Sequence, residues 1–210
     1  MTISTNALRK AWEAFGCNEG LMARIAFGPD IIRVAAPTVD AWKALERVFL
    51  THGYDIRIED TDSYNCRAIK GGRALSLHSF GIALDVNWKT NPYRDHEGRR
   101  GPLFSPGQTQ SSRAMDVKLG TADTDMTRDM VRASTSIMTL GGKRVFGWGG
   151  DWETLKDAMH FQIELTPAEL AEGIDWSTVP ALDAPEPATE PRLNLLERLF
   201  VFLRRVGQRS

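Results

Sequence analysis

Only four histidines are present in 210 residues, and two of them stand in runs that place donor atoms at regular spacing. The first run is Ser76–Asn87, SLHSFGIALDVN. Its second half alternates, with Ile82, Leu84 and Val86 on one side and Ala83, Asp85 and Asn87 on the other, as a half-buried strand does, so Asp85 points away from the core. His78 lies seven residues earlier. Gly81 between them lets the chain bend, so that the imidazole returns toward the carboxylate. The second run is Asp157–Gln162, DAMHFQ, in which His160, Gln162 and Glu164 alternate with Phe161, Ile163 and Leu165. Two imidazoles and one carboxylate are thus on offer. Three N/O ligands with a fourth position left open are how a catalytic Zn2+ is held, because a fully ligated ion neither activates water nor accepts a substrate oxygen. One zinc ion on His78, Asp85 and His160 is the expectation.

A lone His-x6-Asp pair also occurs by chance in surface loops, so the surroundings matter. Ser-x-His-x-x-Gly-x-Ala-x-Asp followed by Asp-x-x-His-Phe resembles the zinc D-Ala-D-Ala carboxypeptidase family, in particular its branch of phage and bacterial L-alanyl-D-glutamate cell-wall peptidases. YNCRAIKGG ahead of the first run, DVNWKTNPY through it and FGWGGDW ahead of the second extend the resemblance over about residues 60 to 165. It implies an α+β fold, a small antiparallel sheet with flanking helices of the hedgehog/DD-peptidase kind. It also implies roles. Asp157, three residues before His160, matches the family's acidic general base; the alternative is a carboxylate that orients a histidine. Arg67 matches an arginine that contacts substrate near the scissile carbonyl, where a permanently charged fork of donors suits a developing oxyanion. Its alternative is an ordinary surface arginine. Ser76 matches a serine that holds substrate, with a structural turn hydroxyl as the alternative.

The elements that must position these residues are read from periodicity. Leu8, Ala11, Trp12 and Phe15 at helical spacing predict a helix over 5–15, capped by Ser4 or Asn6 and stopped by Gly16. Asp30–Val34 reads as a strand. Val39, Trp42, Leu45, Val48 and Phe49 form the stripe of a helix over 38–51 that packs on the sheet, with His52 as a helix-end residue rather than a ligand. Tyr54–Glu59 alternates as a strand should. Residues 88–112 are rich in Pro and Gly and predict a long loop forming one wall of a substrate groove, with His96 a solvated loop histidine. Thr124–Leu140 predicts a helix capped by Thr124 or Asp123 and ended by Gly141-Gly142. Trp148 and Trp152 are either core side chains or an apolar floor beside the metal. Lys70 and Arg73 read as solvated charges. Thr166-Pro167 opens a short helix.

Length and a composition of 42% hydrophobic and 25% charged residues fit one domain over 1–176 with a sizeable core. A net charge of −1 disfavours nucleic acid as a partner. Cys17 and Cys66 can pair in an oxidising compartment, but without geometry to judge the bridge, free thiols are expected. Four prolines among acids over 177–191 predict an extended linker. Beyond it, 192–210 holds an amphipathic helix whose Leu/Phe face and arginines suit an anionic membrane surface or a docking groove. At about 22 Å for residues 192–206 it is too short to span a bilayer. The start of the sequence has no secretory signal pattern. The combined expectation is a peptidoglycan stem-peptide hydrolase, most simply an L-Ala-D-Glu endopeptidase of the endolysin kind. It would be made in the cytoplasm and reach the wall through a membrane lesion or in a phage particle. Alternatives are a D-Ala-D-Ala carboxypeptidase, a non-catalytic zinc or wall-binding module, and a structural particle protein.

Overall fold

The computed structural model describes residues 3–94, 104–105, 109–153 and 155–182. His96, residues 95–103 and 106–108 of the long polar loop, the linker beyond residue 182 and the amphipathic segment 192–206 lie outside these residues.

The Ser4 hydroxyl accepts the Ala7 N–H and starts α1, Thr5–Ala11. Trp12 then leaves the helix, its indole N–H donating to the Leu165 carbonyl at 2.8 Å. The expected continuation to residue 15 is therefore a separate 3-10 turn, Glu13–Phe15. Next come β1, Met22–Phe27, and β2, Asp30–Ala35, an antiparallel hairpin in register Met22↔Ala35 to Phe27↔Asp30. The first of these strands had no clear signal, because Ala26 on its exposed side blurs the alternation set by buried Ile25 and Phe27.

Helix α2, Val39–Thr51, buries the predicted stripe of Trp42, Leu45, Val48 and Phe49 and stops at His52, as expected. That stripe is the back wall of the central sheet. The sheet has the order β3-β7-β5, all antiparallel, from Ala83–Asp85 (β3), Phe146–Trp148 (β5) and His160–Ile163 (β7). Leu84, Phe161 and Trp148 stand in one row across it, and Phe161 meets Phe49 of α2 at 5.6 Å between ring centres. Trp42 reaches Phe146 at 5.1 Å. The opposite row carries Asp85 directly across from His160, and Ala83 and Gly147 on either side of Gln162. A two-residue ladder joins β4, Tyr93–Arg94, to β6, Lys156–Asp157. The architecture is α+β with small antiparallel sheets, as expected.

Several local expectations need correction. Tyr54–Glu59 is not a strand. Its alternation is real, with Tyr54 and Ile56 buried, but side chains rather than a neighbouring strand satisfy its backbone. Asn87 accepts the Arg57 N–H and donates to the Asp55 carbonyl, both at 2.8 Å, while Gln110 accepts the Asp55 N–H. The end of the presumed long loop is helical: α3, Gln110–Leu119, has a reciprocal cap between Thr109 and Ser112. Only Arg113 and Val117 of this helix are buried, so the sequence carries no apolar stripe to reveal it. Helix α4 spans only Arg128–Thr135 and is capped by Thr127, not by Thr124 or Asp123. Thr124 and Asp125 are instead buried against Asn91 and Tyr54. Past Thr135 the chain is extended, bridging Met138 to Arg144 and Thr139 to Ile174, so Gly141-Gly142 is a reversal and not a helix stop. Helix α5, Pro167–Leu170, has the predicted Thr166 start.

The cysteines correct another expectation. Cys17 and Cys66 form a disulfide, with Cα atoms 5.0 Å apart. Both are brought to the same turn. Cys17 donates its N–H to the Ser79 carbonyl at 2.8 Å, and Arg67, next to Cys66, donates its N–H to the Ser79 hydroxyl at 2.9 Å.

Candidate metal centre

His78 sits in the 3-10 turn Leu77–Phe80, which Gly81 ends in the left-handed conformation at φ +67°. That reversal brings the imidazole back over β3, so that His78 Nε2 lies 3.2 Å from Asp85 Oδ2. His160 arrives by strand register, its Nδ1 3.0 Å from Asp85 Oδ1. The two imidazole rings are 5.2 Å apart, and one ligating atom from each of the three residues can be chosen with all separations within 4.8 Å. Tetrahedral zinc with N and O ligands asks for ligand atoms about 3.4 Å apart. The His78–Asp85 and His160–Asp85 distances are close to that value, and the donor set of two imidazoles and a carboxylate suits the ion. The residues fit.

The ring nitrogens not facing Asp85 are occupied. His78 Nδ1 lies 2.6 Å from the Ser63 carbonyl oxygen, which only accepts, so this nitrogen carries a proton and Nε2 is the one that would ligate an ion. His160 Nε2 lies 3.3 Å from Gln162 Oε1. Both histidines are buried. Burial opposes ionisation of Asp85, but hydrogen bonds from His160 and His78 outweigh it and hold the carboxyl below the ordinary range. Burial likewise opposes a charge on His160, and the Asp85 carboxylate outweighs it, so its pKa is raised.

Asp157 is half-buried, and its Oδ1 has no hydrogen-bond partner among the described residues. Burial pushes its carboxyl up to about 6, the neighbouring Asp85 adds to this, and the charges of His160, His78 and Arg67 pull against it. Gly149 makes the placement possible: a Cβ there would stand 2.9 Å from the Asp157 Cβ. Tyr93 is the ladder partner of Asp157 and is half exposed, so the start of the polar loop runs alongside this residue.

Arg67 is exposed, and its backbone is fixed by the Ser79 hydroxyl and by the Ser76 N–H, which donates to the Arg67 carbonyl at 3.0 Å. Its charge is felt at Asp157. Ser76 is buried and precedes the Leu77–Phe80 turn without a side-chain cap bond. The tryptophans divide. Trp148 is core, donating to the Ala158 carbonyl and stacked on Phe104, whereas Trp152 is half-buried with its ring 5.3 Å from that of His160. Gln162 and the Ser63 carbonyl were not singled out from the sequence. The alternation that exposed His160 includes Gln162 and was a usable signal; the carbonyl had none.

A His2Asp cluster on a small antiparallel sheet, with an adjacent carboxylate oxygen that has no hydrogen-bond partner among the described residues, could hold a metal ion and support metal-assisted hydrolysis. Residues 70–163 match the model of the D-alanyl-D-alanine carboxypeptidase family, a similarity that supports a metallopeptidase acting on peptidoglycan. Comparisons with curated proteins and with solved structures return no match.

Proposed function

We propose that the chain cleaves the L-Ala-D-Glu amide of peptidoglycan stem peptides, using one zinc ion held by His78, Asp85 and His160. The observation that carries the reading is the meeting of these three side chains beside an Asp157 oxygen that has no hydrogen-bond partner among the described residues. When bound, the ion supplies Lewis acidity, polarising the scissile carbonyl and making water a stronger acid. Asp157 takes the proton of the attacking water and delivers it to the leaving amine, which its elevated pKa suits in both directions. Arg67 offers charged donors to the carbonyl oxygen as negative charge grows there. Ser76 holds the peptide backbone, and Trp152 keeps bulk water from the His160 side. The choice of the L-Ala-D-Glu bond rests on the resemblance of YNCR, NPY and FGWGGDW to the endopeptidase branch. A second reading, cleavage of D-Ala-D-Ala, is favoured by the description of the matching family.

Mass spectrometry of a defined muropeptide digest tests both. Fragments with a new D-Glu amino terminus support the endopeptidase. Release of D-alanine alone supports the carboxypeptidase. Equal background release by wild type and Asp157→Ala makes the chain a binding module. We further propose that the enzyme reaches the wall through a membrane lesion or in a phage particle, with residues 192–206 engaging an anionic membrane. Deleting residues 190–210 should then spare hydrolysis of purified peptidoglycan and reduce activity on membrane-covered cells; equal losses would make the tail structural, and Sec-dependent export would overturn the route.

A further inference from the structure

The face of β7 that presents His160 continues with Gln162 and then Glu164, at the two-residue period of a strand. These three side chains touch in sequence. His160 Nε2 lies 3.3 Å from Gln162 Oε1, and Gln162 Nε2 donates to Glu164 Oε1 at 3.5 Å. Gln162 is 6% exposed, so its amide has little access to water. The carboxylate lies where it does because the neighbouring strand has no side chain at the facing position. Gly147 is the register partner of Gln162, and a Cβ on it would run into the Glu164 carboxylate, coming within 2.6 Å of its Cδ.

We propose that Gln162 and Glu164 are positioning residues for the metal ligand His160, with Gly147 providing the space that lets them work. The inference rests on the metal site of the preceding section. Its logic is one of enforced polarity. An ionised carboxylate only accepts hydrogen bonds, so Glu164 draws the amide NH2 of Gln162 toward itself and turns the amide oxygen toward His160. That oxygen also only accepts, so it holds the proton of His160 on Nε2. Nδ1, the nitrogen beside Asp85, is left with its lone pair aimed at the ion. A leucine at 162 would fill the same volume but fix neither the tautomer nor the ring angle. Groups hydrogen-bonded to metal-ligating histidines in this way commonly contribute 10–100-fold in metal affinity.

The test uses the full chain and three variants: Gln162→Leu, Glu164→Gln and Gly147→Ala. The last displaces the carboxylate while leaving both polar groups in the sequence. Zn2+ affinity is read by competition with a chromophoric chelator, the ligand field by the visible spectrum of the Co2+ form, and folding by thermal unfolding of the metal-free protein. The expected result is a roughly 10–100-fold loss of Zn2+ affinity in Gln162→Leu, with a shifted Co2+ spectrum and little change in metal-free stability. Smaller losses are expected in Glu164→Gln and Gly147→Ala, and neither should weaken binding further when combined with Gln162→Leu. Wild-type affinity in Gln162→Leu overturns the proposal. So does full additivity of the double variants, or an affinity loss matched by an equal loss of metal-free stability. A wild-type chain that takes up no zinc overturns the metal reading itself, an outcome separate from a zinc-binding wild type matched by Gln162→Leu.

Discussion

Replacing Gly81 with alanine should damage both stability and metal binding, and its cost can be worked out against an internal control. Gly81 and Gly53 share nearly the same backbone conformation, φ +67° and +60°. An alanine in that region costs on the order of 1–2 kcal/mol. For Gly53 this is the whole penalty, because an added Cβ there meets nothing within 4 Å. At Gly81 the added Cβ would clash with the backbone nitrogen of Ala35 and come within 2.5 Å of Met22 Sδ and 3.0 Å of the Val34 carbonyl carbon. Backbone atoms cannot swing aside, so an overpacking penalty of roughly 1–3 kcal/mol is added. The total of about 2–5 kcal/mol is a large share of a typical stability of about 5–15 kcal/mol. For a domain of this size it corresponds to a fall in Tm on the order of 10 °C.

The same clash has a functional arm. Gly81 accepts the Ala35 N–H at 2.9 Å and donates its own N–H to the His78 carbonyl at 3.1 Å, so relieving the contact moves the turn that carries His78. Zinc affinity should therefore fall in Gly81→Ala and stay at the wild-type level in Gly53→Ala. Urea unfolding of the metal-free proteins and chelator competition measure the two effects. Equal stability of the two variants would refute the packing argument, and unchanged zinc affinity in Gly81→Ala would refute the claim that this bend places His78.

The other expectations are more direct. As a base with its pKa pushed up to about 6 by burial, Asp157 must be ionised to work, so kcat/KM should fall tenfold per unit on the acid side. A bound cation draws that limb to pH 6 or lower; a limb above pH 7, or one that persists in Asp157→Asn, would contradict the assignment. Arg67→Ala should lower kcat by about 10²–10³-fold with zinc affinity unchanged, and lysine should restore only part of the loss because it lacks the planar fork. Reducing the Cys17–Cys66 bridge, which closes a loop of 49 residues' separation, should cost about 4 kcal/mol on the chain-entropy view. Unfolding curves with and without reductant read this, and identical curves would show that the bridge contributes nothing.

What could be read from the sequence followed from periodicity and from local chemistry. The stripe of α2, the alternation around Asp85 and His160 and the bend at Gly81 all act within a few residues, and all stand as expected. What escaped depends on partners distant in the chain. Residues 54–59 alternate as a strand does, yet their backbone partners are the side chains of Asn87 and Gln110. Periodicity predicts a helix from Thr124, but buried Thr124 and Asp125 are engaged by Asn91 and Tyr54 and the helix begins only at Arg128. Helix α3 buries too little to leave a stripe. The disulfide depends on two segments meeting at Ser79, and no spacing encodes that.

The site also shows how a three-residue strand can hold a ligand firmly. Asp85 ends β3, a position that would fray if only β7 held it. It is braced from the other side, since Asp62 and Asp85 exchange both backbone hydrogen bonds, at 2.9 and 2.8 Å. The Asp62 segment is fixed in turn. Ser63, the next residue, accepts the Arg33 N–H of the β1–β2 hairpin through its hydroxyl and the His78 Nδ1 proton through its carbonyl. One short extended segment thus orients two of the three proposed metal ligands, Asp85 through its backbone and His78 through its ring, while the third comes from strand register. Precision at the metal then depends on the loop from 60 to 67 as much as on the sheet. That places the structural value of the disulfide at Cys66 and explains why Arg67, one residue further, can be exposed and still well placed.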